Sequence, residues 1–372
     1  MNSVFTGKEN CCGCSACQQI CPASAIAMEP DKEGFLYPVI NQAACIDCEQ
    51  CVQVCPLIKE GNAKEPVFAN AYAAKHKADD VKMTSTSGGA FTALSDYILK
   101  QNGVVYGVDF AENFKICHKK ARTAPERDRF KISKYAQSDL KDTFADIETE
   151  LSHGTPVLFT GTPCQTAGLR SFIGNHPAAR NLYVCDIICY GIPSPLIWQE
   201  YLRHLEVKYG DKIESVHFRS KVFAWNRPNS NRNFMCTTKN CPQPHVEDDY
   251  YTLYFSARTI MRPSCSQCRF TDSRRAADIT IADYWGIEKY MPEFMDSKGV
   301  SLILINSAKG KRLFEQVKQD LDYAERPATE CLAEQQRLRE PVKFPENRGQ
   351  FWEDYYTHGF PYLIDKYVNN ID

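Results

Sequence analysis

Net charge and long apolar runs are the two features that this sequence has little of. Its 44 basic and 46 acidic residues give a formal net charge of −2, unlike the strongly basic composition typical of nucleic-acid-binding proteins. No apolar run approaches the ~20 residues of a membrane-spanning helix, and the N-terminus lacks the charged start and apolar core of a signal peptide. We therefore expect a cytoplasmic protein without a membrane span and without a nucleic-acid partner.

Recognisable catalytic residue sets are also missing. The eight His residues are scattered and no Ser-His-Asp or Cys-His arrangement can be identified, so the sequence predicts no catalytic side chain. The 372 residues are enough for two or three domains with a sizeable core. Cysteine, by contrast, is abundant, with 18 residues. In a chain without an export signal this number favours metal ligation in a reducing compartment over disulfide bonds.

Two cysteine runs of identical spacing lie near the N-terminus, at residues 11–22 and 45–56. Each has the pattern Cys-x-x-Cys-x-x-Cys-x-x-x-Cys-Pro. This is the pattern of bacterial-type ferredoxins with two [4Fe–4S] clusters, in which the fourth Cys of each run ligates the other cluster. The first cluster is assigned to Cys11, Cys14, Cys17 and Cys55, and the second cluster to Cys45, Cys48, Cys51 and Cys21. Cys12 is out of register and is not assigned. The alternatives are a disulfide framework or zinc, which usually takes paired Cys-x-x-Cys units.

Strand and helix signals alternate through the rest of the chain. Val67–Ala74 and Val104–Phe110 are predicted strands on either side of a helix over Ala90–Lys100, and a second unit of this kind begins at Pro156. This order predicts α/β layering. The predicted fold class is therefore α+β / α/β, with a bacterial-type 2[4Fe–4S] ferredoxin domain followed by an α/β flavin-binding core with a mixed sheet. The predicted segments are the ferredoxin-type domain 1–62, the two parts of the core 63–155 and 156–325, and an aromatic-rich tail 326–372 that packs on the core.

Four later cysteines are candidates for a third metal site. Cys164 and Cys189 each follow a predicted strand. If a crossover helix connects these strands, they are parallel and both cysteines lie at the same carboxyl edge of the sheet. Cys265 and Cys268 form a Cys-x-x-Cys motif that would add two thiolates. The four predict a third [4Fe–4S] cluster, with a structural zinc site and buried free thiols as the alternatives.

A loop of small residues, Ser85–Gly89, precedes the helix predicted from Ala90. Its hydroxyl and backbone N–H groups are candidates to bind a phosphate, with the helix dipole behind them; a plain helix cap is the alternative. Lys134 and Tyr135 are candidates to place a cation and an aromatic ring beside a cofactor, and surface positions are the alternative for both.

Six segments, in this order, resemble the coenzyme F420 hydrogenase/dehydrogenase beta-subunit family: Ser85–Gly89, Ser133–Ser138, Phe159–Gln165, Asp186–Pro195, Arg262–Cys268 and Ala277–Gly286. The resemblance implies an FAD-dependent iron–sulfur reductase. It implies that the third cluster is held by Cys164, Cys189, Cys265 and Cys268. It also implies that the flavin lies near Ser85, Ser87, Gly88, Gly89, Lys134, Tyr135 and Ser138. Where the hydrogenase subunits have Asn-Cys, this chain has Ile188-Cys189 and is similar to a bacterial branch often encoded beside polysaccharide-synthesis genes, which leaves the deazaflavin substrate open.

The leading hypothesis is an oxidoreductase in which electrons pass from a low-potential donor, reduced ferredoxin or a similar protein, through the clusters to FAD. The final acceptor is expected to be a small-molecule or sugar-derived substrate, in polysaccharide biosynthesis. Two alternatives stay open: a non-catalytic electron-transfer subunit, and a cluster-bearing scaffold for a partner enzyme. Whether the chain is itself an enzyme, and whether it forms a homo-oligomer, are therefore open questions.

Overall fold

The structure is a computed structural model that describes residues 4–58, 70–221, 225 and 234–369. The predicted boundary between residues 62 and 63 and the first part of the strand predicted over Val67–Ala74 lie outside the described residues. Among the described helices, none has the length and apolar character needed to cross a membrane.

The N-terminal unit contains a hairpin and two short helices that repeat the same local geometry. Strand β1 (Ile26–Pro30) pairs antiparallel with β2 (Leu36–Ile40). Helices α1 (Ala16–Gln19) and α2 (Gln50–Gln53) each contain the third cysteine of a run. Each helix follows a residue in the left-handed region, with φ of 59° before α1 and 58° before α2. The two cysteine runs therefore fold alike, as their identical spacing predicts.

The core is a mixed eight-stranded sheet, with a small three-stranded sheet beside it. The remaining strands are, in chain order, β3 (Asn70–His76), β4 (Val104–Phe110), β5 (Ile116–Ala121), β6 (Val157–Gly161), β7 (Leu182–Ile187), β8 (Ile213–His217), β9 (Phe234–Thr238), β10 (Cys241–Glu247), β11 (Ile279–Asp283), β12 (Ser301–Ile305) and β13 (Leu321–Arg326). The large sheet has the order β13-β3-β12-β11-β7-β6-β4-β5, and the small one β10-β9-β8. Strands β4, β6, β7 and β11 are parallel, and antiparallel strands flank them on both sides. The predicted α+β / α/β class and the mixed sheet are thereby confirmed, whereas flavin binding by this core stays a prediction.

Helices lie on both faces of the large sheet, and others pack beside the small sheet. The helices that follow the N-terminal unit are, in chain order, α3 (Asp79–Met83), α4 (Ala90–Lys100), α5 (Ala124–Asp128), α6 (Thr143–Ser152), α7 (Pro163–Ile173), α8 (Pro195–Tyr209), α9 (Asp249–Tyr251), α10 (Ile287–Tyr290), α11 (Ala308–Val317), α12 (Ala328–Glu334), α13 (Arg348–His358) and α14 (Phe360–Ile364). In β6, Val157 and Phe159 pack into one apolar cluster and Leu158 into another. This strand is buried on both faces, which explains why it is a continuous apolar run.

Helix α7 is the crossover between the parallel strands β6 and β7. Thr162 and Gln165 form a capping box at its start, and Pro163 occupies the first turn. Gly161 at the end of β6 pairs with Asp186 of β7. The two strands are therefore parallel and joined by a crossover helix, which was the condition for placing Cys164 and Cys189 together. The residues that follow both strands lie at the same edge of the sheet.

The N-terminal unit packs directly against α6 and α7. The Gln19 side-chain oxygen accepts hydrogen bonds from the backbone N–H groups of Phe144 (2.7 Å) and Ala145 (3.3 Å) at the start of α6. A Cβ atom at Gly168 of α7 would stand 2.9 Å from the Cys14 Sγ atom. The contact between the cysteine runs and the core thus depends on a close helix approach that only glycine allows.

The C-terminal aromatic residues pack over α8. Phe351, Trp352 and Phe360 are almost fully buried and share an apolar cluster with Trp198 and Tyr201. The predicted division of the core at residue 155 stays a prediction; strands from both sides of it belong to the large sheet.

Candidate iron–sulfur and cofactor sites

The cysteines of the two N-terminal runs form two groups in space, and each group contains cysteines from both runs. Burial first, and then the neighbouring Cys11 and Cys55 thiols, raise the pKa of Cys17 to about 12. Cys55, from the second run, therefore lies beside two cysteines of the first. A small cavity is lined by the four residues assigned to the second cluster, Cys21, Cys45, Cys48 and Cys51. In both groups the fourth cysteine of one run thus lies with the first three cysteines of the other run, as the predicted ligand sets require. The assignment of these cysteines as cluster ligands stays a prediction.

The two groups differ in exposure. Cys14 and Cys17, assigned to the first cluster, are buried against α7, whereas Cys48 of the second group is exposed. The second group thus faces the surface and the first group faces the core.

The four later cysteines come together around a cavity of about 510 Å³, here called the thiol cavity. Cys164 is the second residue of α7, Cys189 follows β7, and Cys265 lies in a 3-10 turn that ends before Cys268. Burial and then the Cys268 thiol raise the pKa of Cys265 to about 12, and burial and then Cys164 raise the pKa of Cys268 to about 11. Four thiols from three segments far apart in sequence therefore face one another.

Cys12 lies at the same cavity although the sequence left it unassigned. It contacts Cys164, and this contact, followed by burial, raises the pKa of the Cys164 thiol. A fifth thiol is therefore available beside the predicted third cluster, and the spacing of the N-terminal run gave no sign of it.

Four thiols around a cavity are the donor set that a [4Fe–4S] cluster takes. The residues present therefore fit the predicted third cluster. Within the described part of the chain, no three His, Cys, Asp or Glu side chains are arranged to hold a single metal ion.

A second cavity, of about 500 Å³, borders the Ser85–Gly89 loop and is here called the loop cavity. Six of the seven residues predicted to lie near a flavin line it: Ser85, Ser87, Gly89, Lys134, Tyr135 and Ser138. Gly88 does not line it. A Cβ atom at Gly88 would stand 2.6 Å from the Ala74 carbonyl oxygen and 2.7 Å from the Ser301 nitrogen, so its position is explained by close backbone packing.

The hydroxyl groups of the loop bind the protein itself. Ser85 Oγ donates to the Val81 carbonyl (2.7 Å) and Ser87 Oγ donates to the Val300 carbonyl (2.8 Å). Both hydroxyl hydrogen atoms are used within the protein in this arrangement, and their contact with a phosphate stays a prediction. Gly89 has φ of 92° and turns the chain into the eleven-residue helix α4. The backbone and the positive end of α4 are the features of this loop that suit an anion.

Lys134 lies at the edge of the loop cavity. Its ammonium group donates to the Arg129 carbonyl and lies 5.7 Å from the centre of the Phe110 ring. Burial lowers the pKa of Lys134 to about 7. A group with this pKa changes its charge near neutral pH.

The loop cavity contains a buried ion pair that the sequence analysis did not predict. Arg219 binds Asp283, and both side chains are at least nine-tenths buried. The Trp225 indole donates to the other Asp283 oxygen (2.7 Å), and the Arg219 guanidinium lies 5.6 Å from the Trp285 ring centre. Because 64 residues separate the two members of the pair, no local pattern could have joined them.

Comparison with known proteins gives two family matches and matches to solved structures. Residues 154–330 match the family described as the C terminus of the coenzyme F420 hydrogenase/dehydrogenase beta subunit, and residues 10–57 match the 4Fe-4S dicluster domain. No curated protein matches the sequence. Among solved structures, a chain of the F420-reducing [NiFe] hydrogenase complex from Methanosarcina barkeri, studied by xenon derivatization, has a TM-score of 0.50 and 16% sequence identity; the match covers 78% of this chain and 93% of the other. At this identity the likeness concerns the fold.

Proposed function

We propose that this protein is an iron–sulfur flavoprotein oxidoreductase. Its sequence matches a 4Fe-4S dicluster domain and the C-terminal domain of the coenzyme F420 hydrogenase/dehydrogenase beta-subunit family, and these two matches support iron–sulfur electron transfer. The proposal adds a third cluster, a bound FAD and a reaction with a substrate. Clusters transfer single electrons and a bound flavin links these to two-electron chemistry.

One observation carries the proposal: the thiol cavity and the loop cavity share a wall. Cys189 lines both cavities, together with Tyr190, Gly191 and Ile192. A cluster held by the Cys189 thiol in the thiol cavity would therefore lie next to the loop cavity, with only this segment between them. Direct adjacency of this kind is what electron exchange between a cluster and a flavin needs.

The side chains around the loop cavity suit a planar, anionic cofactor. Tyr190 and Phe255 provide an aromatic wall, and their ring centres are 5.3 Å apart. Lys134, Arg219 and the N-terminal end of α4 supply positive charge, of which Arg219 is partly neutralised by Asp283. The chain thus orients a ring system and binds an anionic tail, without a side chain that we assign to catalysis.

The proposed donor is reduced ferredoxin or a similar low-potential protein, and the proposed substrate is a small or sugar-derived molecule. The similarity of residues 188–191 to the branch associated with polysaccharide synthesis supports the substrate class. None of the 18 cysteines forms a disulfide bond, which supports a reducing compartment such as the cytoplasm.

A non-catalytic electron-transfer subunit is the second candidate. Two apolar side chains near the N-terminal cysteine runs, Ile46 and Ile58, are 65% and 48% exposed. Cys48, which lines a cavity together with Ile46, is exposed as well. An exposed apolar surface at a cluster site suits a partner protein. Turnover of a substrate by the isolated chain with a reduced donor would decide between the two candidates.

Anaerobic purification followed by iron and flavin quantification tests the proposal. Three clusters predict about twelve iron atoms per chain, with one FAD. The variant Cys265→Ser should lose about four of them, while the control Cys241→Ser, which removes a thiol from β10, should keep all. About eight iron atoms without flavin in the unmodified chain would overturn both the third cluster and the flavin.

A further inference from the structure

Arg262 is a buried cation between the N-terminal unit and the core. Its side chain is 1% exposed, and it lies three residues before Cys265. Its Nε atom donates to the Cys11 carbonyl (2.8 Å) and Nη2 donates to the Leu36 carbonyl (3.0 Å). Nη1 donates to the Gln137 side-chain oxygen (3.1 Å). The guanidinium group is thus fixed by partners from three separate parts of the chain.

The same group also reaches a predicted cluster ligand. Nη2 lies 3.6 Å from the Cys11 Sγ atom, within hydrogen-bonding range for sulfur. The guanidinium stacks on Tyr37, 4.1 Å from the ring centre, and lies 5.5 Å from the ring centre of Phe35. These rings hold the guanidinium plane in place beside the sulfur.

No carboxylate in the described part of the chain forms an ion pair with this cation. Among the ion pairs found in the described residues, none includes Arg262. A buried charge without a counterion is costly, and a [4Fe–4S] cluster held by four thiolates is a net anion. The first cluster would therefore be the missing counterion.

Arg262 also borders the predicted third cluster. It lines the thiol cavity together with Cys164 and Cys265, and its Nη2 atom lies 3.6 Å from the Cys11 Sγ atom. One cation thus lies beside predicted ligands of two neighbouring sites.

We propose that Arg262 raises the reduction potential of the first cluster, so that electrons entering at the exposed second cluster move inward to it. Reduction adds one electron to the cluster, and a fixed positive charge with an N–H···S hydrogen bond stabilises this added negative charge. We expect Arg262 to raise the reduction potential of the third cluster as well, by a smaller amount. Only this expectation for the third cluster rests on the proposed function.

The test is an EPR-monitored redox titration of the anaerobic full-length protein. In Arg262→Met the ratio of reduced to oxidised first cluster at a fixed potential should fall about tenfold, which is about 59 mV for a one-electron couple. Arg262→Lys keeps the charge and should show a smaller change. The control Arg274→Met removes an exposed cation of the same segment, which is paired with Asp272, and should leave the titration unchanged. Cys48→Ser alters the EPR signal of the second cluster and so assigns the steps.

A second variant keeps the test decisive if Arg262→Met does not assemble. Gln137→Glu has the same shape and places a carboxylate against the Arg262 guanidinium, so it should also lower the potential of the first cluster. A first cluster that titrates as in the unmodified protein in both variants, or in Gln137→Glu alone when Arg262→Met does not fold, would overturn the role of Arg262. Iron quantification in the same samples separates this outcome from absence of the third cluster, because about eight instead of about twelve iron atoms would contradict only the presence of that cluster.

Discussion

At the scale of single residues, the sequence indicated which cysteines lie close together, but it did not indicate where the charged residues lie. The cysteine runs are local patterns whose spacing alone defines a cluster site. From the sequence alone, Arg262, Arg269, Arg274 and Arg275, which flank Cys265 and Cys268, are candidates to bind an acidic donor protein or a phosphate, with a solvated charged face as the alternative. In the structure, Arg262 is buried against residues 251 positions away and Arg275 forms a buried ion pair with Asp186. Whether such a charge is solvated or buried is decided by the tertiary contact, which the neighbouring sequence does not contain.

Lys134 should make flavin binding dependent on pH. Burial lowers its pKa to about 7, against the opposing charge of Asp109 and with the help of Arg129 and Lys119. The ammonium form attracts an anionic cofactor, so FAD affinity should fall as pH rises from 6 to 8. Fluorescence titration of the flavin-free protein with FAD measures this.

Two variants of Lys134 complete the experiment. Lys134→Arg stays charged throughout this range and should bind FAD with little pH dependence. Lys134→Met should bind weakly at every pH. An unmodified protein whose FAD affinity is the same at pH 6 and pH 8 would contradict the assignment of Lys134 to the cofactor site.

At the scale of elements, the order of strands and helices was predictable because it depends on local patterns. The apolar run of β6, the capping box of α7 and the Ser194 cap of α8 are all visible in the sequence. The role of the small-residue loop Ser85–Gly89 was not predictable in this way. The backbone of the loop at Gly88 approaches β3 and β12 so closely that only glycine fits. A glycine needed for packing looks the same in sequence as one needed to bind a phosphate.

The contact of α7 with the N-terminal unit should be sensitive to one methyl group. In Gly168→Ala the new Cβ would stand 2.9 Å from the Cys14 side chain, and overpacking of this kind typically costs about 1–3 kcal/mol. We expect a lower melting temperature and a loss of iron from the first cluster, measured by calorimetry and iron quantification.

The matched control is Gly349→Ala in α13, where nothing lies within 4 Å of the new Cβ. This change should stabilise the protein by about 0.4–1 kcal/mol, because alanine loses less backbone freedom on folding. Equal melting temperatures of the two variants would show that the approach of α7 to Cys14 is not tight.

At the scale of the whole molecule, the sites form a series from the surface to the interior. The second cysteine group is exposed at Cys48, the first is buried against α7, the thiol cavity borders Arg262, and the loop cavity begins on the other side of Cys189. The sequence predicted the members of this series, but their order in space follows from the docking of the N-terminal unit on the core.

The rate of flavin reduction tests this series most directly. In an anaerobic stopped-flow experiment with reduced ferredoxin as the donor, the double variant Cys265→Ser/Cys268→Ser should reduce its bound FAD at least about tenfold more slowly than the unmodified protein, which corresponds to a barrier higher by about 1.4 kcal/mol. Bound FAD that is reduced at the same rate in both proteins would contradict electron transfer through the thiol cavity.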